Sequence, residues 1–113
     1  MFTVSDVYSA IDQVISEDPN ISYAKVAGGV HMNCKYRQPD GTPVCMVGQV
    51  FHRLGVLDRV TDEENHNTLV RRLELVEGTG LFSNDALDLL DRWQLRQDRW
   101  QEMTWKSIVE EAR

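Results

Sequence analysis

The stretch from Pro39 to Gly55 writes out one helix together with both of its ends. Pro39-Asp40-Gly41 is a turn signal, because proline pre-sets φ and glycine accepts a positive one. Thr42 is then placed to cap a helix whose first position is Pro43. Met46, Val47, Val50, Phe51 and Leu54 follow as an apolar stripe of helical period, and Gly55 stands where a helix usually ends. The spacing predicts a helix over 43–54. An apolar stripe must be covered, so the rest of the chain has to supply facing surfaces. At 113 residues it has enough chain to do so in one domain spanning 1–113, since a chain of this size buries roughly 65% of its unfolded surface.

Other segments carry the same period. Val4, Val7, Tyr8, Ile11, Val14 and Ile15 make one stripe, with Thr3 and Asp6 as an imperfect capping box and Asp18-Pro19-Asn20 as the stop. Thr61-Asp62-Glu63-Glu64 reads as a capping box before Leu69, Val70, Leu73 and Val76, and Gly78-Thr79-Gly80 breaks the chain. Phe82, Ser83 and Leu87 have the spacing of a hydrophobic staple around an N-cap. Behind them Ala86, Leu90, Trp93, Gln97 and Trp100 alternate four and three apart. Thr104 is placed to cap a last turn with Trp105, Ile108, Val109 and Ala112, and 84–112 reads as one helix or two.

Residues 21–37 read as extended. Tyr23, Val26 and Val30 favour strands, and Val30, Met32, Cys34 and Tyr36 alternate with polar neighbours. Gly28-Gly29 is a candidate hairpin turn. The expected fold is therefore α+β: a mostly helical single domain of four to five helices with a small β-hairpin around residues 22–37.

Charge narrows the function classes. The net charge is −6, which argues against a generally basic nucleic-acid binder. It is unevenly spread: −4 over residues 1–20, +3 over 21–60, −3 over 61–83 and −2 over 84–113. The mildly basic centre is most simply a solvated face. No apolar run approaches the ~20 residues of a membrane span, and the opening MFTVSDVYSAIDQV lacks a basic leader, so no membrane partner and a cytoplasmic location are expected. Walker, GxGxxG, HExxH, GxSxG and CxxC motifs are absent, and neither an enzyme nor a cofactor is indicated.

The two cysteines are the residues with most chemical latitude. Cys45 falls in the first turn of the expected 43–54 helix, where N–H groups and the dipole favour a thiolate. His52 is seven residues on, about 10 Å along the axis, so a catalytic thiol needs His31 or His66 instead. His31, Cys34, Cys45 and His52 offer a Cys₂His₂ donor set, but in H-x2-C-x10-C-x6-H spacing rather than the usual paired one. Cys34 and Cys45 flank the Pro-Asp-Gly turn, so a disulfide or redox pair is an alternative. A small buried hydrophobe is the plainer reading of each, and no metal or catalytic site is expected.

All three tryptophans lie in the last third: Trp93, Trp100 and Trp105. Tryptophan at helical spacing is usually core and is also the preferred interface anchor. Trp93, Arg96, Trp100 and Trp105 form the candidate interface, with Arg96 four residues before Trp100 for a cation–π contact. Gln97 on an apolar seam resembles a register-setting device of coiled coils, which points to a homodimer through the C-terminal helix. Asp85, Asp88 and Asp91 are read as solvent-facing and complementary to the helix dipole. Arg71-Arg72 within a helix-turn-helix-like unit over 62–100 supports only a weak DNA-associated reading.

Two motifs carry a resemblance. DGTPVCMVGQVFHRLGV, with its P-x-C-x-V-G-x5-L-G-V pattern, resembles the central motif of small uncharacterised proteins of actinobacteria and actinobacteriophages. DLLDRWQLRQDRWQEMTWKSIVEEA is similar to that group's closing Q-x-x-Q-D…W element. Together these cover about residues 30–56 and 86–112. The resemblance implies that Gln94, Gln97 and Asp98 belong to a polar network with the Cys34–Cys45 region. It brings no activity with it. The resulting expectation is a small interaction or regulatory protein, phage-encoded, that binds a host or cellular protein. The alternatives are a thiol- or metal-dependent protein built on Cys34, Cys45, His31 and His52, or a weak DNA-associated regulator.

Overall fold

The structure is a computed structural model and describes residues 1–28, 34–35, 43, 45–57, 64–65 and 80–112. Five helices run through these residues: α1 (Val4–Glu17), α2 (Tyr23–Ala27), α3 (Met46–Arg53), α4 (Asn84–Arg99) and α5 (Trp105–Ala112). The helices α1, α3 and α4 pack on one another, and α5 packs against α4.

Each long helix is defined by its caps and its stripe. In α1 the Thr3 hydroxyl accepts from the Asp6 N–H at 3.4 Å, and the Asp6 carboxylate accepts from the Thr3 N–H at 2.8 Å. Two otherwise orphaned N–H groups are satisfied together. Val7, Ala10, Ile11 and Val14 turn inward from this helix. Asp18 ends it and holds Lys25 at 2.7 Å, which keeps the exposed Asp18 carboxyl below the usual carboxylate range. In α4 the Ser83 hydroxyl accepts from the Ala86 N–H at 3.2 Å, and Ala86, Leu87, Leu89, Leu90 and Trp93 face the core. Met46, Val47, Val50 and Phe51 of α3 fill the space between α1 and α4. Each such side chain contributes roughly 1.5–3 kcal/mol by leaving water.

The sequence expectation for α3 holds at its end and shifts at its start. Gly55 takes φ +76°, its N–H donates to the His52 carbonyl, and the Val56 N–H donates to the Phe51 carbonyl. That is a complete Schellman closure. The helix begins at Met46, however, and its N-cap is Cys45 rather than Thr42. Pro43 lies before the helix, where its carbonyl accepts from the Gln49 side chain at 3.3 Å.

The stretch 84–112 is two helices. Trp100 leaves helical geometry at φ −124° and ψ 73°, the Met103 N–H donates back to its carbonyl, and Thr104 caps α5 through the Ser107 N–H. Trp105, Ile108 and Val109 are then buried. Two backbone seams tie distant segments together. Phe2 pairs in parallel with Phe82, and the two rings lie 5.4 Å apart. Ser22 pairs with Thr104, flanked by bonds from the Trp105 N–H to the Ile21 carbonyl and from the Ala24 N–H to the Gln101 carbonyl.

The expected α+β fold with a β-hairpin around residues 22–37 is overturned: among the described residues the fold is helical, and residues 22–27 do not pair with Cys34–Lys35. Tyr23–Ala27 is the short helix α2, capped by the Ser22 hydroxyl at the Lys25 N–H. Gly28 does adopt a positive φ of 77°, but as the C-cap of α2 and not as a hairpin turn. The same left-handed glycine serves both purposes, so the signal was ambiguous. Cys34–Lys35 forms a two-residue antiparallel pairing with distant Glu64–Asn65, not with residues 22–27. The Pro39-Asp40-Gly41 turn, the Thr42 cap and the helix expected behind Thr61–Glu64 lie outside the described residues.

Candidate functional site

The chemistry the sequence singled out converges on the start of α3. Cys45 is completely buried and free, and its Sγ accepts the Gly48 N–H at 3.2 Å. It therefore does the work of a serine cap with a sulfur atom. Burial pushes its thiol up to about 12, with the nearby Asp98 carboxylate pushing the same way. Hydrogen bonds from Gly48, Gln94 and Val47 pull down and lose. The helix terminus does not make a thiolate here, because removing the charge from water outweighs the terminal N–H groups.

Beside Cys45 sits a set of buried amides from α4. The Gln97 Oε1 accepts the Met46 N–H at 2.7 Å. Its Nε2 donates to the Asp98 carboxylate at 2.9 Å, and the Gln94 Nε2 donates to the same oxygen at 3.1 Å. Gln97 is fully buried and Gln94 nearly so. Thus α4 supplies a side-chain cap to the first residue of α3 across 51 positions of sequence. Gln97 is a cross-helix cap within one chain, which gives a polar residue on an apolar seam a purpose that self-pairing is not needed to explain. The structure joins Gln94, Gln97 and Asp98 to the Cys45 end of the proposed network. The Cys34 side chain lies outside the described residues.

The remaining thiol and metal candidates are not brought to this point. His52 is exposed near the opposite end of α3, while Cys45 is sealed at its start. His31 and His66 lie outside the described residues. Among the described residues no group of three or more histidine, cysteine or acidic side chains is arranged to hold a metal ion.

The candidate interface residues divide. Trp93 and Trp105 are completely buried in the core, with Tyr8 edge-on to Trp93 at 5.4 Å. They are packing residues because their stripe faces α1 and the α4–α5 junction. Trp100 is 43% exposed. Its cation partner is Arg99, 4.6 Å from the ring centre, and not Arg96. Arg96 instead reaches Glu111 of α5 at 2.6 Å. Leaving the helix at Trp100 turns that ring off the seam it was expected to share with Trp93. Leu95, 58% exposed, was not singled out by its period and joins Trp100 on the surface.

Among the described residues, depressions lie on both sides of α4. A cleft of about 550 Å³ lies between α1 and α4, lined by Tyr8, Asp85, Asp88, Asp91 and Arg92 among others. A smaller groove of about 360 Å³ runs between Arg92, Leu95, Arg96 and Glu111, with Trp93 beneath. Asp85 and Asp88 are exposed as expected, whereas Asp91 is half-buried. Arg71 and Arg72, on which a DNA-reading unit would depend, lie outside the described residues. Among the described residues no helix is long and apolar enough to cross a membrane. No family model, curated protein or solved structure matches the chain.

Proposed function

We propose that this chain is a small non-catalytic binding protein of the cytoplasm that engages another cellular protein through the surface around Trp100. The observation that carries the reading is the exposed Trp100 ring, braced by the Arg99 guanidinium. A large ring held in water is the kind of residue that anchors interfaces, where it gains most on desolvation. The Cys45 thiol is meanwhile occupied as a buried cap. The motif resemblance adds a host protein as the partner and a phage or actinobacterial origin as parts of the same proposal.

The test is comparative capture from an actinobacterial lysate with immobilised wild-type, Trp100→Ala and Cys45→Ala proteins. The expected result is one polypeptide retained by wild type and Cys45→Ala and reduced at least about tenfold by Trp100→Ala, the usual size of an anchor effect. Retention unchanged by Trp100→Ala, or lost only with Cys45→Ala, refutes the reading.

A further inference from the structure

The outer face of α4 is written as a seam of its own. Asp85, Asp88, Arg92, Leu95 and Arg99 recur at spacings of three, four, three and four, and all five are exposed. Such spacing keeps one line of side chains facing a partner helix. The charges along it are segregated: Asp85 and Asp88 occupy the first half, Arg92, Arg96 and Arg99 the second. Helix-dipole preference accounts for the terminal turns alone, and Asp88 and Arg92 stand inside them. The one apolar member, Leu95, is more than half exposed.

A stripe acidic at one end and basic at the other complements itself when reversed. We infer that α4 is the contact helix of a two-fold homodimer in which two copies lie antiparallel, the acidic half of each against the basic half of the other. With the axis near Arg92, Asp85 falls opposite Arg99 of the second copy and Asp88 opposite Arg96, so four attractive pairs outweigh the one like-charge meeting of the two Arg92 side chains. The interface is isologous, as a two-fold contact between identical chains must be. The whole chain carries −6, which repels a second copy, but this stripe with the adjoining Arg96 has two acids against three bases and is a face on which two copies attract. Arg96 keeps half its side chain in solvent while holding Glu111, so it serves both carboxylates. The buried seam of Trp93 and Gln97 takes no part. The inference goes beyond the Trp100 reading; Arg99 belongs to both surfaces, so a second copy and the Trp100 partner compete for it, and the two readings fail separately, since a monomer still captures a partner.

The test is a charge swap read by sedimentation equilibrium in about 50 mM salt. Wild type is expected to dimerise, and more weakly in about 0.5 M salt, because exposed ion pairs are screened. The doubly substituted Asp85→Lys/Asp88→Lys and Arg96→Glu/Arg99→Glu proteins each place like charges face to face and are expected to raise the dimer Kd at least about tenfold. Mixed in equal amounts they restore both halves of the contact and pair with each other at close to wild-type strength. The milder set Asp85→Lys and Arg99→Glu serves if the Arg96–Glu111 tie proves necessary for folding. A wild-type protein that stays monomeric at about 0.5 mM, variants that dimerise unchanged, or a mixture that fails to recover association each overturns the inference.

Discussion

Gln97→Met removes the cross-helix cap while keeping the length and volume of the side chain. Gln97 is fully buried, so the Met46 N–H that it accepts at 2.7 Å has no solvent to turn to. An orphaned buried donor costs about 1–3 kcal/mol. The Asp98 carboxylate also loses one donor, although the Gln94 amide still reaches it. Against this, a thioether gains a few tenths to about 1 kcal/mol by being apolar in an apolar site. The net expectation is a loss of about 2 kcal/mol. For 113 residues the unfolding entropy is about 0.24 kcal/mol/K, so the melting temperature should fall by about 8 °C. Urea unfolding followed by the fluorescence of buried Trp93 and Trp105 measures the first quantity. Amide exchange separates the mechanism from a general loosening, because the Met46 amide should lose more protection than the amides of Leu89 and Leu90. A variant as stable as wild type within about 0.5 kcal/mol, or one in which all three amides lose protection equally, refutes the cap.

Two further outcomes follow from the same end of α3 and from its other end. The Cys45 thiol is held at about 12 when folded against an ordinary 9.0, so between those values the native state binds more protons than the unfolded one. Stability contributed by the neutral thiol is complete below pH 9 and is lost as pH rises toward 12, by up to about 1.4 kcal/mol per pH unit. Subtracting the alkaline stability profile of Cys45→Ala from that of wild type should isolate this slope, and parallel profiles contradict it. At the far end, Gly55→Ala forces a β-carbon into φ +76° although the space around it is open, so the cost is conformational and about 1–2 kcal/mol, with Gly55→Asn costing less. Chemical denaturation of the three proteins ranks them, and alanine matching glycine is the contrary result.

Much of the helical frame was legible because it rests on short-range rules. Thr3 with Asp6, Ser83 with Ala86, and Gly55 after an apolar stripe are decided within one or two turns of chain. The error over residues 22–27 has the opposite cause. Five residues are too few for a 3.6 period to show, Val26 points to solvent, and tyrosine and valine favour strands, so pattern and propensity agreed on the wrong element. What fixes α2 is remote: the Ala24 N–H is taken by the Gln101 carbonyl and the Ile21 carbonyl by the Trp105 N–H. The displaced start of α3 was likewise hidden, since the sequence offered threonine and proline as a better cap than a cysteine, and the partner that completes it is Gln97. Burial decided the state of that cysteine, and burial is a property of the assembled core. The tryptophan seam failed at Trp100 because nothing in its spacing marks the chain turning out of the helix there.

The pairing of Phe2 with Phe82 sets an order of events during synthesis. Phe2 is held by bonds from its N–H to the Leu81 carbonyl and to its carbonyl from the Ser83 N–H, and Phe51 meets the same Phe82 ring at 5.5 Å with a tilt of 42°. Phe2 is thus docked by a residue made 80 positions later. At roughly 5–20 residues per second, α1 waits about 4–16 s for that partner, and longer for the rest of α4, which packs against it. A ribosome that slows before Phe82 prolongs the interval in which this helix is most open to chaperones and proteases.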